Sequence, residues 1–174
     1  MRRAMTVPLS SPHSATPVAL LILALAGASG CAPSKGIMDD STLTAFATKY
    51  TAAWCSQDPA KVASFFATGG SLTINAGAPS IGREAIAAAA RGFMTAFPDL
   101  VVRMDSVRGV GSGAVYYWTL TGTNTGPGGT GRPVRISGRE EWAFGSDGLV
   151  AKSLGHFDDA EYQRQVSGTN PAPS

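Results

Sequence analysis

Histidine and cysteine are scarce in this chain, two of each among 174 residues. Two histidines cannot assemble a multi-histidine metal site, and two cysteines cannot brace a disulfide-dense small fold. Charge is thin as well, at 15% of residues, and nearly cancels: 14 Lys and Arg face 12 Asp and Glu. Arg2 and Arg3 alone account for the surplus of two. The cationic excess that a phosphate backbone demands is missing, so nucleic acid is not expected as a partner. Glycine (21) and proline (11) fall short of collagen-like or low-complexity compositions. No apolar run reaches the roughly 20 residues of a spanning helix, and no internal repeat is visible. What is present, with 44% hydrophobic residues, is enough for one domain and its core.

The first thirty residues read as an export signal. Arg2 and Arg3 make a basic start, and Val18 to Ala28 is an unbroken run of apolar and small residues. The run ends in Ala28-Ser29-Gly30-Cys31, which resembles the lipobox of bacterial lipoproteins. That resemblance implies cleavage before Cys31, diacylglyceryl modification of its thiol, and a lipid anchor holding the exported protein at the bacterial cell envelope. An ordinary cleavable signal, giving a secreted or periplasmic protein, is the other reading of the same residues. Cleavage removes Arg2 and Arg3, so basic and acidic residues then balance, and Cys55 is left as the only free thiol. Residues 31–40 are expected to be a tether, 41–166 the domain, and 167–174 a frayed tail rich in Gly, Pro and Ser.

Within the domain, Asp40 or Ser41 is expected to cap a helix whose apolar face is Leu43, Phe46, Ala47, Tyr50 and Trp54, at three- and four-residue steps. Asp58-Pro59 predicts a second helix, with an acidic cap and proline in the first turn, running through Phe65 and Phe66 until Gly69-Gly70 stops it. A short strand over Ser71 to Asn75 follows. A third, alanine-rich helix opens at Gly82 and is expected to close near Phe97, since Pro98 disfavours helix at the preceding residue. Val101 to Val107, Ala114 to Thr123, Val134 to Phe144 and Leu149 to Phe157 then read as strands with glycine-rich turns. Asp158-x-x-Glu161 has the spacing of a capping box for a last short helix. Helices first and a strand meander afterwards make an α+β fold.

This order, and five short words within it, resemble the SnoaL-like polyketide cyclase branch of the nuclear transport factor 2-like superfamily. The words are Ile81-Gly82-Arg83-Glu84-Ala85-Ile86, Phe97-Pro98-Asp99-Leu100, Trp118 to Gly126, Thr130-Gly131-Arg132-Pro133-Val134 and Asp147-Gly148-Leu149-Val150. The resemblance implies a cone-shaped α+β barrel. Three N-terminal helices would pack on a curved, mainly antiparallel sheet that wraps an apolar pocket, with dimerisation through the sheet. Superfamily members include cyclases, isomerases, dehydratases, epoxide hydrolases and non-catalytic binders.

Chemistry in such a cone is proton transfer by a carboxylate or histidine of perturbed pKa. Glu140 alternates with Gly138 and Trp142 on one strand face; if that face points inward, burial raises its pKa. If the face is instead outer surface, Glu140 pairs with an arginine. His156 is the one histidine after Cys31, and Asp158 is either its partner or the cap of the last helix. Trp54, Phe66, Trp118 and Trp142 are candidate pocket walls, and Asn124 a candidate for orienting a ligand. The resemblance places the cyclases' last-strand aspartate at Gly155, or beside it if a bulge intervenes, and a commonly occurring histidine at Asn124; neither Gly155 nor Asn124 moves a proton. The expected function is therefore binding of a small apolar molecule in the pocket, without cofactor or metal and without the cyclase reaction. The alternative is an acid–base isomerase, cyclase, dehydratase or epoxide hydrolase using Glu140, His156 or both.

Overall fold

The structure, a computed structural model, describes residues 38–168. The export signal, Cys31, nearly all of the tether and the tail after Gly168 lie outside the described residues. Among the described residues no helix is long and apolar enough to cross a membrane.

Helix α1 spans Asp40–Cys55, and its cap is Asp39 rather than Asp40 or Ser41. The Asp39 carboxylate accepts from the Thr42 amide at 2.9 Å and from the hydroxyls of Ser41 and Thr42, so one side chain serves three donors. The expected apolar stripe is buried at Leu43, Ala47, Tyr50 and Trp54. At the end of α1 the free thiol of Cys55 bonds both the amide and the carbonyl of Val102, each at 3.2 Å.

Helix α2, Pro59–Ala63, starts as the Asp58-Pro59 pair requires, with Asp58 accepting from the amides of Ala60 and Lys61. It ends three residues sooner than expected. Phe66 opens strand β1, Phe66–Ile74, because its neighbour Phe65 already accepts a ladder bond from the Val150 amide at 2.9 Å. Gly69 and Gly70 are thus inside β1, where the register slips between Phe66 and Ser71. A Cβ on Gly70 would stand 2.7 Å from the Val150 carbonyl oxygen, so this close crossing needs glycine.

After the two-residue strand β2 (Ser80–Ile81), helix α3 covers Gly82–Ala96 and stops just before Phe97-Pro98. The meander then runs through β3 (Val101–Val110), β4 (Gly113–Thr123), β5 (Pro133–Phe144) and β6 (Val150–Phe157). β3 is three residues longer than expected and turns at Gly111, whose φ of 58° suits glycine. Helix α4, Asp159–Ser167, is capped by Asp158 through the Glu161 amide at 2.9 Å.

The six strands form one sheet in the order β2-β1-β6-β5-β4-β3. All neighbours are antiparallel except β1 and β6, which run parallel. β1 therefore brings its inner residues beside the end of β6, far from it in sequence. Helix α1 packs against β3 and α3 against β1, so the core lies between these helices and one face of the sheet. Tyr50, Phe66, Ile86, Phe97 and Tyr116 are fully buried there; each large apolar side chain so placed contributes about 1.5–3 kcal/mol. The α+β fold is the one the sequence predicts.

Candidate functional site

The register of the central strands settles which face Glu140 occupies. Tyr116 of β4, Glu140 of β5 and Gly155 of β6 stand side by side, and alternation puts Trp118, Gly138 and Trp142 on the same inward face. Glu140 is only 6% exposed. Its Oε2 accepts from Ser153 Oγ at 2.7 Å, from Trp142 Nε1 at 2.9 Å and from the Tyr50 hydroxyl at 3.1 Å. Oε1 has only a longer 3.3 Å contact with that same Tyr50 hydroxyl. Tyr50 owns one proton to share, so Oε1 keeps most of its accepting capacity.

Burial pushes the Glu140 carboxyl above the ordinary glutamate value, against the pull of the Trp142, Ser153 and Tyr50 donors. The same burial raises the phenols of Tyr50 and Tyr116, so both stay protonated. Tyr116 stacks on Trp142 with ring centres 4.9 Å apart, and its hydroxyl sits 2.7 Å from Thr51 Oγ1. The carboxylate is thereby held at the centre of a packed aromatic and hydroxyl cluster.

Glu140 forms part of the wall of a cavity of about 50 Å³. Trp54 of α1 and Phe93 of α3 contribute the helical side, and Tyr116, Trp118 and Leu120 the β4 side. Gly155 and Phe157 of β6 and Leu72 and Ile74 of β1 also line it. Drug-sized ligand sites measure roughly 300–1,000 Å³, so this space admits only a compact molecule. Glu140 is the only carboxylate or imidazole in the wall. Trp118 Nε1 is buried and has no hydrogen-bond partner among the described residues.

Of the residues expected at the site, Glu140, Trp54 and Trp118 line the cavity. Trp142 does not line it; it stands behind, its indole N–H spent on the carboxylate. Phe66 is also outside the wall, fully buried with its ring against Tyr50. Asn124 is buried at 7% exposure, yet its amide is occupied elsewhere. It donates to the Ala96 carbonyl at 3.2 Å and accepts from the Thr130 amide at 2.9 Å, clamping the β4–β5 connection to the end of α3.

His156 and Glu140 do not meet. His156 pairs with Arg139 in the ladder, on the opposite face, and its Nε2 lies 3.9 Å from Glu141 Oε1 with the side chain 38% exposed. Asp158 serves as the α4 cap rather than as a partner for His156. Among the described residues no three His, Cys, Asp or Glu side chains gather as metal ligands.

Sequence reasoning missed Tyr50 and Ser153 as the carboxylate's partners. Ser153 carried a signal, since it lies two residues before Gly155 and so shares its face. Tyr50 belongs to the apolar stripe of α1, and nothing local to it points to a carboxylate ninety positions away.

No curated protein matches the chain closely enough to count as a relative. Solved structures share the fold at low identity. TsrD from Streptomyces laurentii superposes with a TM-score of 0.66 at 23% identity, covering 76% of this chain and 99% of that one. A protein with a ketosteroid isomerase-like fold from Catenulispora acidiphila, in complex with trimethylamine, gives 0.63 at 17% identity, covering 70% and 92%. The epoxide hydrolase/cyclase-like enzyme SalBIII, which takes part in pyran ring formation in salinomycin, gives 0.61 at 12% identity, covering 71% and 95%. The SnoaL-like domain model matches residues 47–153, the stretch from the middle of α1 to the Ser153 that holds Glu140, and the chain belongs to that family.

Proposed function

We propose that this SnoaL-like domain binds a small, largely apolar molecule against Glu140, without the cyclase reaction, while tethered to the envelope by a lipid on Cys31. The observation that carries the binding reading is the composition of the wall: aromatic and aliphatic side chains around one carboxylate, with His156 on the other face of the sheet. Cyclisation and dehydration call for proton removal and proton delivery at separate points, and a single carboxylate offers one. One structural neighbour is in complex with trimethylamine, a molecule of the bulk this cavity admits. Native mass spectrometry of the purified full chain tests the reading: a retained small hydrophobic adduct supports it, and a bare chain that takes up no small ligand contradicts it.

A second reading is favoured by the burial of Glu140 and the spare capacity of Oε1. A carboxyl of raised pKa is suited to take a proton from one carbon and return it to another on the same face, as in a double-bond isomerisation. Loss of turnover in Glu140→Gln with unchanged melting temperature is its signature.

The anchor rests on the basic start, the apolar run and the small residues before Cys31. Cys31→Ala is expected to move the protein from the membrane to the soluble fraction. Dimerisation through the outer sheet face, which carries Arg139, Glu141 and His156, is the proposed assembly, and sedimentation reads it.

A further inference from the structure

We infer that the occupant of the cavity is a compact alkylammonium ion, its N–H donated to Glu140 Oε1 and its alkyl groups laid against the aromatic wall. The inference rests on the small-molecule reading above and names the chemical class of the ligand. Three independent features converge on it.

The first is the donor arrangement. Tyr50, Ser153 and Trp142 all direct protons at Glu140, and an indole N–H can only donate. Three donors on one oxygen suit a carboxylate better than an acid that brings its own proton. The site is built around an anion whose second oxygen is left short of donors.

The second is the missing counter-charge. Carboxylates are almost never fully buried unless paired. No Lys, Arg or His forms an ion pair with Glu140 among the described residues. The titratable groups facing it are Tyr50 from α1 and Tyr116 from β4, both held neutral by burial. A cation arriving from the cavity completes a pair that the chain itself leaves open.

The third is the wall. Trp54, Phe93, Tyr116, Trp118 and Phe157 surround the space with rings, and aromatic faces attract cations, ammonium groups in particular. A volume of about 50 Å³ restricts the cation to a few carbons; trimethylammonium has the bulk of only a few water molecules.

The test is calorimetric titration of the full chain, near neutral pH, with trimethylammonium chloride and separately with 2-methylpropan-2-ol. The alcohol carries the same three methyl groups on one centre, with one heavy atom more and no charge, and its hydroxyl can donate to Glu140. Trimethylammonium is expected to bind at least about tenfold tighter than the alcohol. Glu140→Gln is expected to abolish that preference. Phe93→Leu, which leaves the carboxylate cluster intact, is expected to weaken the ammonium about two- to fivefold more than it weakens the alcohol. Equal or tighter binding of the alcohol overturns the cation while the small-molecule reading stands. Unaltered ammonium binding in Glu140→Gln also overturns it. If neither probe binds and no hydrophobe is retained, both readings fall. Should Glu140→Gln not fold, the comparison of the two probes on the native chain, with Phe93→Leu, decides the matter.

Discussion

At the scale of single residues, the state of Glu140 is a contest between burial, which favours the acid, and three donors, which favour the anion. Ser153 makes the shortest of the three bonds, at 2.7 Å. Ser153→Ala removes it and leaves the oxygen buried, so a loss of about 1.5–3 kcal/mol in urea unfolding is expected, together with a further rise of the Glu140 pKa. The same raised pKa dictates how stability follows pH. A carboxyl that protonates more readily in the folded chain holds more protons when folded, across the interval from the ordinary glutamate value to its own higher one. Folding stability therefore falls as pH rises through that interval and levels off above it. In Glu140→Gln that part of the slope should vanish, and comparing unfolding curves of the two proteins across the interval checks it. Part of this site was legible in the letters: strand alternation ties Glu140 to the face of Trp142, and the pairing of the strands then turns that face inward. The partners of Glu140 were not, because the bond to Tyr50 spans 90 positions and the bond to Ser153 depends on which strands pair. Asn124 misled for the opposite reason, since an asparagine beside a glycine-rich connection satisfies backbone there as readily as it meets a ligand.

At the scale of elements, glycines mark where backbone comes close and where it does not. Gly155 stands across from Glu140, and a Cβ there meets the Thr73 carbonyl oxygen at 3.5 Å and Glu140 Cγ at 3.7 Å, ordinary contacts. Gly155→Ala is expected to fold with stability within about 0.5 kcal/mol of the parent, while shrinking the cavity and weakening ligand binding. Gly126 is different, because a Cβ would overlap the Thr95 carbonyl at the end of α3. Gly126→Ala is expected to cost about 1–3 kcal/mol through the backbone shift it forces. Thermal melts of the two variants separate a glycine that leaves space from one that closes a joint. The element boundaries show the same limit of local reading. The Asp58-Pro59 pair located the start of α2, and Pro98 the end of α3. The start of β1 escaped, because a double glycine that breaks a helix in isolation here lets a strand slip register against β6.

At the scale of the whole molecule, the family assignment explains the architecture and leaves the chemistry to a few side chains. The sheet and helices here surround a space with one carboxylate and no imidazole in its wall, and His156 stands on the other face of the sheet. Function here depends on that lone carboxylate and on what enters beside it. Carbon-13 NMR of the Glu140 carboxyl, followed through pH in the full chain with and without trimethylammonium, reads both at once. The expected midpoint lies above the ordinary glutamate value in the empty protein and moves downward as the cation saturates the site. A midpoint in the ordinary range that ignores the added cation would contradict both expectations.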